Sequence, residues 1–492
     1  TAENCLSISE CLKTSELRAK ASYLAGGAAV NLGKYDQAQS FFEDALNISR
    51  SEGLGQIEST SLRGLAIVAN QLSNYEKSMQ HSQASLEISR RNGDRLGACK
   101  TLNVLGILYR THKELVKSME CFEEAMEVFR EMGDRRWESV MLGNIGVDIW
   151  DGGDFSTAFS YFRKSYELSI LTGAIQHQMV MLGNMGNLSA QLGDLDAAEL
   201  YLQKALELNK QIGSAYQGVI DLNSHGLILN QKGEYERAKQ ALEKSIEQAR
   251  EYEIRKVEAL SLIELGTLFR NVGKYSDALR YLQQGSDIHT EIGFKIMQSE
   301  EYLHKAKTLY QQGNYEEGEA TLLTAFDLLK EYPDKEIEAD QFLCLGKFET
   351  VLGDYDQAQK AFNQSLVIRK EMKQYFRIAE LHSCLAGVAL QEGEVQAALD
   401  HAEKTLEFLE DHLPNGTDEP MRIYLTCYQV LRAAGDPRAD EILTQAHTIL
   451  MERANKITDD AMRTSYLENV AANKQIVDIF LQKGKVASKS KG

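Results

Sequence analysis

Asn70, Arg110, Trp150, Asn230 and Arg270 occupy one position of a recurring register, whole 40-residue steps apart. A second set, Arg63, Asn103, Asn144, Asn184, Asn187 and Asn223, falls three to seven residues ahead of the same register. A carboxamide offers two donors and an acceptor oxygen, so amides in a row can satisfy the N–H and C=O groups of an extended peptide one residue after another. Arginine adds charge-assisted bonds and tryptophan an aromatic anchor, both residue types enriched where binding energy concentrates. This is recognition chemistry rather than bond-making chemistry. The competing reading is that the amides line a wet channel or bond to one another between neighbouring helices.

Bond-making chemistry has no comparable signature. The chain lacks GxxxxGK[ST], HExxH and GxSxG, and its cysteines and histidines do not cluster at metal-ligand spacing. GNMG at 183–186 is better explained by a glycine inside a helix than by a phosphate loop, and DGGDFST at 151–157 lacks the acidic alternation of a calcium loop. No nucleophile, base and orienter can be named together. The sequence therefore predicts no enzyme, no cofactor and no metal.

The 492 residues include 54 basic and 72 acidic side chains, a net charge of −18. Such a surface repels phosphate backbones and anionic lipid, so neither nucleic acid nor membrane is expected as a partner. No apolar run is long enough to span a bilayer, and residues 1–15 lack the basic and apolar parts of a signal peptide. Seven cysteines, none in a CxxC, suit the reduced thiols of a cytoplasmic protein.

What positions the amides is a repeat. GKYDQA at 33–38 returns as GDFSTA at 153, GDLDAA at 193, GEYERA at 233, GKYSDA at 273, GNYEEG at 313 and GDYDQA at 353. Ser73 and Lys113 keep the register without the glycine. Small residues recur seven before this anchor (Gly26, Gly106, Gly186, Gly346), five after it (Ala38, Ala158, Ala278) and twelve after it (Ala45, Ser165, Ser365). Apolar residues follow at three- and four-residue steps, as in FFEDALNI at 41–48. Each unit reads as a first helix, a glycine turn and a second helix, with small residues where the two helices cross. A further glycine, at 53, 93, 133, 173, 213 and 293, is placed to end the second helix in a left-handed cap.

The pattern small–x7–G–[DEKN]–[YFL]–x2–small–x6–small, as in LGNMGNLSAQLGDLDAAELYLQKALEL at 182–208, resembles the tetratricopeptide repeat. The resemblance covers about 19–412 in ten tandem copies. It is to the 40-residue-unit type, longer than the family's usual unit, as in large bacterial regulators and Partner-of-Inscuteable-like adaptors. It implies an all-α fold, a right-handed α-solenoid of tandem helix–turn–helix units whose first helices line a concave groove. The amide, arginine and tryptophan positions then face a protein or peptide ligand in that groove. The family's carboxylate clamp for chaperone tails needs a set of lysines, asparagines and an arginine that no three consecutive repeats here supply.

NCLSISECLK at 4–13 aligns with DALNISRSEG at 44–53, so residues 1–18 are expected to be the second helix of a truncated repeat, with upstream domains of the same polypeptide preceding it. LPNGTDEP at 413–420 reads as a loop, followed by a degenerate helix pair over 421–455 and a capping helix over 459–482; together, 413–482 is expected to close the array. Residues 483–492, KGKVASKSKG, read as a disordered basic tail. RTSYLENVAANKQI at 463–476 resembles the stretch closing the repeat arrays of large bacterial signalling proteins that carry an ATPase or cyclase module upstream.

Two functions follow. One is the C-terminal sensor or regulatory arm of a larger bacterial multidomain signalling protein, controlling an upstream ATPase, cyclase or transcriptional module. The other is a free-standing adaptor binding an extended peptide in an asparagine-lined concave groove. A peptide-pheromone receptor fits less well, because those relatives usually have fewer repeats.

Overall fold

A computed structural model describes residues 14–31, 34–72 and 74–489, and all its regular structure is α-helix: 24 helices, with no strand among the described residues. The commonest helix spans 17 residues, as in the four that begin at Tyr35, Gly55, Tyr75 and Arg95. Their starts are evenly spaced, and two helices make one 40-residue step, so the register read from the sequence is the register of the fold. The chain forms two compact units, residues 1–181 and 182–492, with the boundary inside the helix Ile175–Gln191.

Local chemistry accounts for the start and stop of each helix. The residue after the anchor is the N-cap of the second helix, and where it is aspartate the carboxylate accepts a backbone N–H, as Asp154 does from Thr157 and Asp354 from Gln357. The anchor itself needs a left-handed backbone: Gly153, Gly193 and Gly353 have φ of 86°, 89° and 88°. Lys113, which replaces a glycine, is held at φ 60° by the same turn.

The crossing positions are small for a specific reason. Each glycine seven before the anchor faces a bulky residue of the second helix: Gly26 meets Phe42, Gly106 meets Phe122, Gly146 meets Phe162 and Gly226 meets Leu242. A Cβ at Gly106 would sit 2.6 Å from the Phe122 ring, which is fully buried. Gly106→Ala is therefore expected to lose about 1–3 kcal/mol by overpacking, against a helix-propensity gain of at most about 1 kcal/mol. Chemical denaturation of the variant, with and without Phe122→Leu, checks this: the second change should restore part of the loss.

Where the other small positions carry a hydroxyl, they also bond. Ser78 and Ser118 donate to the carbonyls of Ala66 and Gly106, both at 2.8 Å, and Ser85, Ser165 and Ser365 donate to carbonyls 26 residues earlier at 2.6–2.7 Å. These serines fasten neighbouring helices at the backbone, a role that their size alone did not reveal.

At the two ends the helices depart from expectation. The first described helix, Ser15–Asn31, begins ahead of residue 19, so residues 15–18 belong to the first repeat; residues 1–13 lie outside the described ones. The single helix expected over 459–482 is two, Asp460–Glu468 and Ala471–Lys489. The second continues through 483–489, expected to be disordered tail, because that run contains no proline to stop it; residues 490–492 lie outside the described ones.

In the second unit the C-terminal helices Pro420–Ala433, Ala439–Asn455, Asp460–Glu468 and Ala471–Lys489 share one hydrophobic core with the first helix Arg255–Asn271. Leu262, Leu265, Leu268 and Phe269 belong to the same buried cluster as Tyr424, Tyr428, Leu450, Tyr466 and Ile476. The RTSYLENV stretch touches the repeat row near two of its turns. Tyr466 packs on Tyr235 at 5.3 Å between ring centres, Asn469 donates to the Gly273 carbonyl at 3.3 Å, and its own carbonyl accepts from the Tyr275 hydroxyl at 3.3 Å.

Candidate partner-binding surface

In the first unit the helices Arg95–Thr111 and Arg135–Asp151 bring four polar side chains together. Asn144 donates through Nδ2 to Asn103 Oδ1 at 2.7 Å, while Arg110 donates to the Asn144 carbonyl and Oδ1 at 3.3 and 3.4 Å. Arg110 also lies 3.5 Å from the Asp148 carboxylate and over the Phe122 ring, 5.3 Å from its centre. Burial lowers the Arg110 guanidinium and pushes the Asp148 carboxyl up to about 6, in each case against the attraction between them. Desolvation therefore outweighs the ion pair. The Ser118 hydroxyl beside Asp148 also opposes that rise, and Arg63 Nη1 is buried without a hydrogen bond. Trp150 stands edge-on to Phe162 at 5.9 Å, and Asn70 is half-buried.

The residues of the second unit have different surroundings. Asn184 and Asn187 are half-buried on the helix Ile175–Gln191. Asn223 accepts from the Ser261 hydroxyl at 2.9 Å, and Asn230 accepts from Asn271 Nδ2 at 3.1 Å. Arg270 approaches His304 at 3.4 Å. Asn230 and Arg270 are each only 3% exposed, because the C-terminal segment packs over this part of the repeat row: the Gly416 N–H donates to the Gln231 carbonyl, and Arg453 lies against Gly233. Both were expected to face a ligand; here the chain itself covers them. Of the amides, Asn103, Asn144, Asn223 and Asn230 bond sideways between neighbouring helices, the alternative role noted for such rows.

A charged cluster in the second unit escaped the sequence reading. Lys307 bonds Asp340 at 2.8 Å and Lys347 bonds Glu380 at 3.1 Å, each lysine reaching a carboxylate 33 residues on. Arg377 joins Glu380 at 3.1 Å, and Arg369, 1% exposed, reaches Asp340, Gln374 and the Glu336 carbonyl. The signal was available as a lysine six before the anchor followed by an acid thirteen before the next. It was invisible because only two of the ten repeats carry it. Among the described residues no group of three His, Cys, Asp or Glu is placed to hold a metal ion, and no helix is long and apolar enough to cross a membrane.

Two tetratricopeptide-repeat family models match the chain, one at residues 57–131 and 217–291 and the other at 19–52 and 181–212. No curated protein sequence matches it. Among solved structures the chain is similar to a Rap protein complexed with competence and sporulation factor, at 13% identity and a TM-score of 0.49 over 80% of this chain and 98% of that one. It is similar also to a tetratricopeptide repeat protein from Parabacteroides merdae, at 18% identity and a TM-score of 0.38 over 56% and 98%. The Cut9–Hcn1 assembly of the APC/C gives 14% identity and a TM-score of 0.46 over 93% of each chain. The helix pairs that carry most of the amide and arginine positions are thus the stretches that match the tetratricopeptide-repeat models.

Proposed function

We propose that the chain is a protein- or peptide-binding scaffold whose ligand lies along the first helices of the first unit. The observation that carries this reading is the Asn103–Asn144–Arg110 chain with Asp148 beside it. Asn103, Asn144 and Arg110 are each partly exposed, so the donors and acceptors they do not spend on one another stay within reach of a ligand. An extended peptide offers both a donor and an acceptor at every residue.

The amide pair is the part that can be removed cleanly. Changing Arg110 would strip Asp148 of its cation, whereas Asn103→Ala with Asn144→Ala leaves that pair in place. Peptides selected from a random library on the wild-type chain are expected to bind the double variant at least tenfold more weakly in titration calorimetry. Equal affinity for both proteins would place the binding surface elsewhere.

We further favour the scaffold as a regulatory arm of a larger bacterial signalling protein over a free-standing adaptor. The support is the RTSYLENV stretch, which holds the turn at Gly273 and packs Tyr466 on Tyr235, and so ties the closing helices to the repeat row. A bacterial two-hybrid screen of the chain against ATPase, cyclase and transcription-factor modules of the source genome tests it: a specific pair supports the arm, and none favours the adaptor.

A further inference from the structure

The segment 413–419 joins the helices Val395–Asp411 and Pro420–Ala433 without helix, through a turn at 415–418 where Gly416 has φ 78° and the Thr417 hydroxyl donates to the Pro414 carbonyl at 2.6 Å. It does not run over the surface as a connection usually does. Pro414 and Thr417 are buried, and the Asp418 side chain is only 12% exposed. Its carboxylate sits among three cations from the first helices of three consecutive repeats: Lys307 at 3.0 Å, Lys347 at 3.8 Å and Arg377 at 4.0 Å. Along the same segment, Asn415 accepts from Arg453 and the Gly416 N–H donates to the Gln231 carbonyl at 3.4 Å. Gly416 lies against the Phe376 ring, which a Cβ there would approach to 3.2 Å.

Charge balance says what the segment contributes. Without it the cluster holds four cations, Lys307, Lys347, Arg369 and Arg377, against three carboxylates, Glu336, Asp340 and Glu380, so one buried positive charge is left uncompensated. Glu419 lies 3.6 Å from Arg422 and 4.0 Å from Lys347, so the segment brings two anions to the cluster, and Asp418 is the one set among three of its cations. Backbone bonding, a ring against a glycine and a carboxylate in a cationic pocket are the contacts by which a repeat groove holds a peptide in trans.

We propose that the first helices of these three repeats form a recognition site for a short acidic peptide carrying such a turn, and that residues 413–420 are its internal occupant. The site takes an aspartate carboxylate between Lys307, Lys347 and Arg377, with a small residue two positions earlier against Phe376. A partner bearing such a sequence competes with the chain's own segment. This rests on the second unit alone and is independent of the amide row.

The probe is a labelled synthetic peptide, LPNGTDEP, titrated into the full chain with residues 413–419 replaced by glycine and serine at unchanged length. Fluorescence anisotropy should show at least tenfold tighter binding than to wild type, weakening with salt. Adding Lys347→Met, or using a peptide with asparagine for its aspartate, should abolish it. If the replaced chain keeps its helical circular dichroism and binds no tighter than wild type, the segment is a structural strut and the proposal fails. Should the replaced chain not fold, hydrogen exchange in the wild type decides. Millimolar peptide should accelerate exchange over 413–419, the Gly416 amide included, and unchanged exchange overturns the proposal.

Discussion

Replacing Arg369 with methionine is expected to cost about 3–5 kcal/mol of stability. Its guanidinium is 1% exposed and satisfies the Asp340 carboxylate, the Gln374 amide and the Glu336 carbonyl at once, with the Glu336 carboxylate 3.6 Å away. Methionine fills similar volume, so the loss would come from charge left behind and not from a cavity. Burial by itself would raise the Asp340 carboxyl, yet Lys307, Arg377 and Arg369 together hold it well below the usual carboxylate range. With Arg369 gone, Asp340 keeps two cations, whereas Glu336 loses its nearest one, which places the effect toward the lower end of that range. Urea denaturation measures it, and a second variant apportions it. Asp340→Asn in the Arg369→Met background should cost less than Asp340→Asn alone, because the partner it would abandon is already missing. Additive losses would show that the pair is not coupled.

The second large effect has the opposite sign. Asp221→Asn is expected to stabilise the protein by roughly 2–4 kcal/mol at pH 8 and hardly at all at pH 4. Asp221 is 1% exposed, and while one carboxylate oxygen accepts from Gln217 at 2.8 Å, the other has no partner. Burial pushes this carboxyl from its ordinary 3.8 up to about 7, with the Gln217 bond opposing. Between these two pH values the folded chain holds a proton that the unfolded chain has released. Stability from this group is thus complete below about pH 4, falls as pH rises toward 7 and stays low above it. Asparagine carries no charge at any pH and can still accept from Gln217. Denaturation of both proteins at pH 4 and pH 8 checks the difference, and an equal gain at the two values would rule out titration as its cause.

Much of this molecule is local, and the local part was legible. The repeat step, the glycine turns and the crossing glycines follow from contacts such as Gly106 on Phe122, which join the two helices of one repeat and recur in copy after copy. Repetition exposes a rule that one copy would hide. The hydroxyl bonds were half-legible: Ser118 and Ser165 were identifiable as small, but their bonds to helix carbonyls require the helices to be placed first. The amide rows were legible as rows. Their partners were not, because Asn103 reaches Asn144 and Asn230 reaches Asn271 only after two helices from successive repeats lie side by side.

By itself the sequence determined the all-helical repeat, its register, its caps and which face of each first helix carries amides, since these depend on side-chain periodicity and turn chemistry within a few dozen residues. Only the tertiary structure decided which parts of that face stay open. Lys307 and Asp418 are 111 residues apart, and Gly273 and Asn469 are 196. Such contacts form when the repeat row and the closing segment fold against each other, and they rest on buried charge pairs and on hydrogen bonds to turn carbonyls, which no spacing in the chain announces.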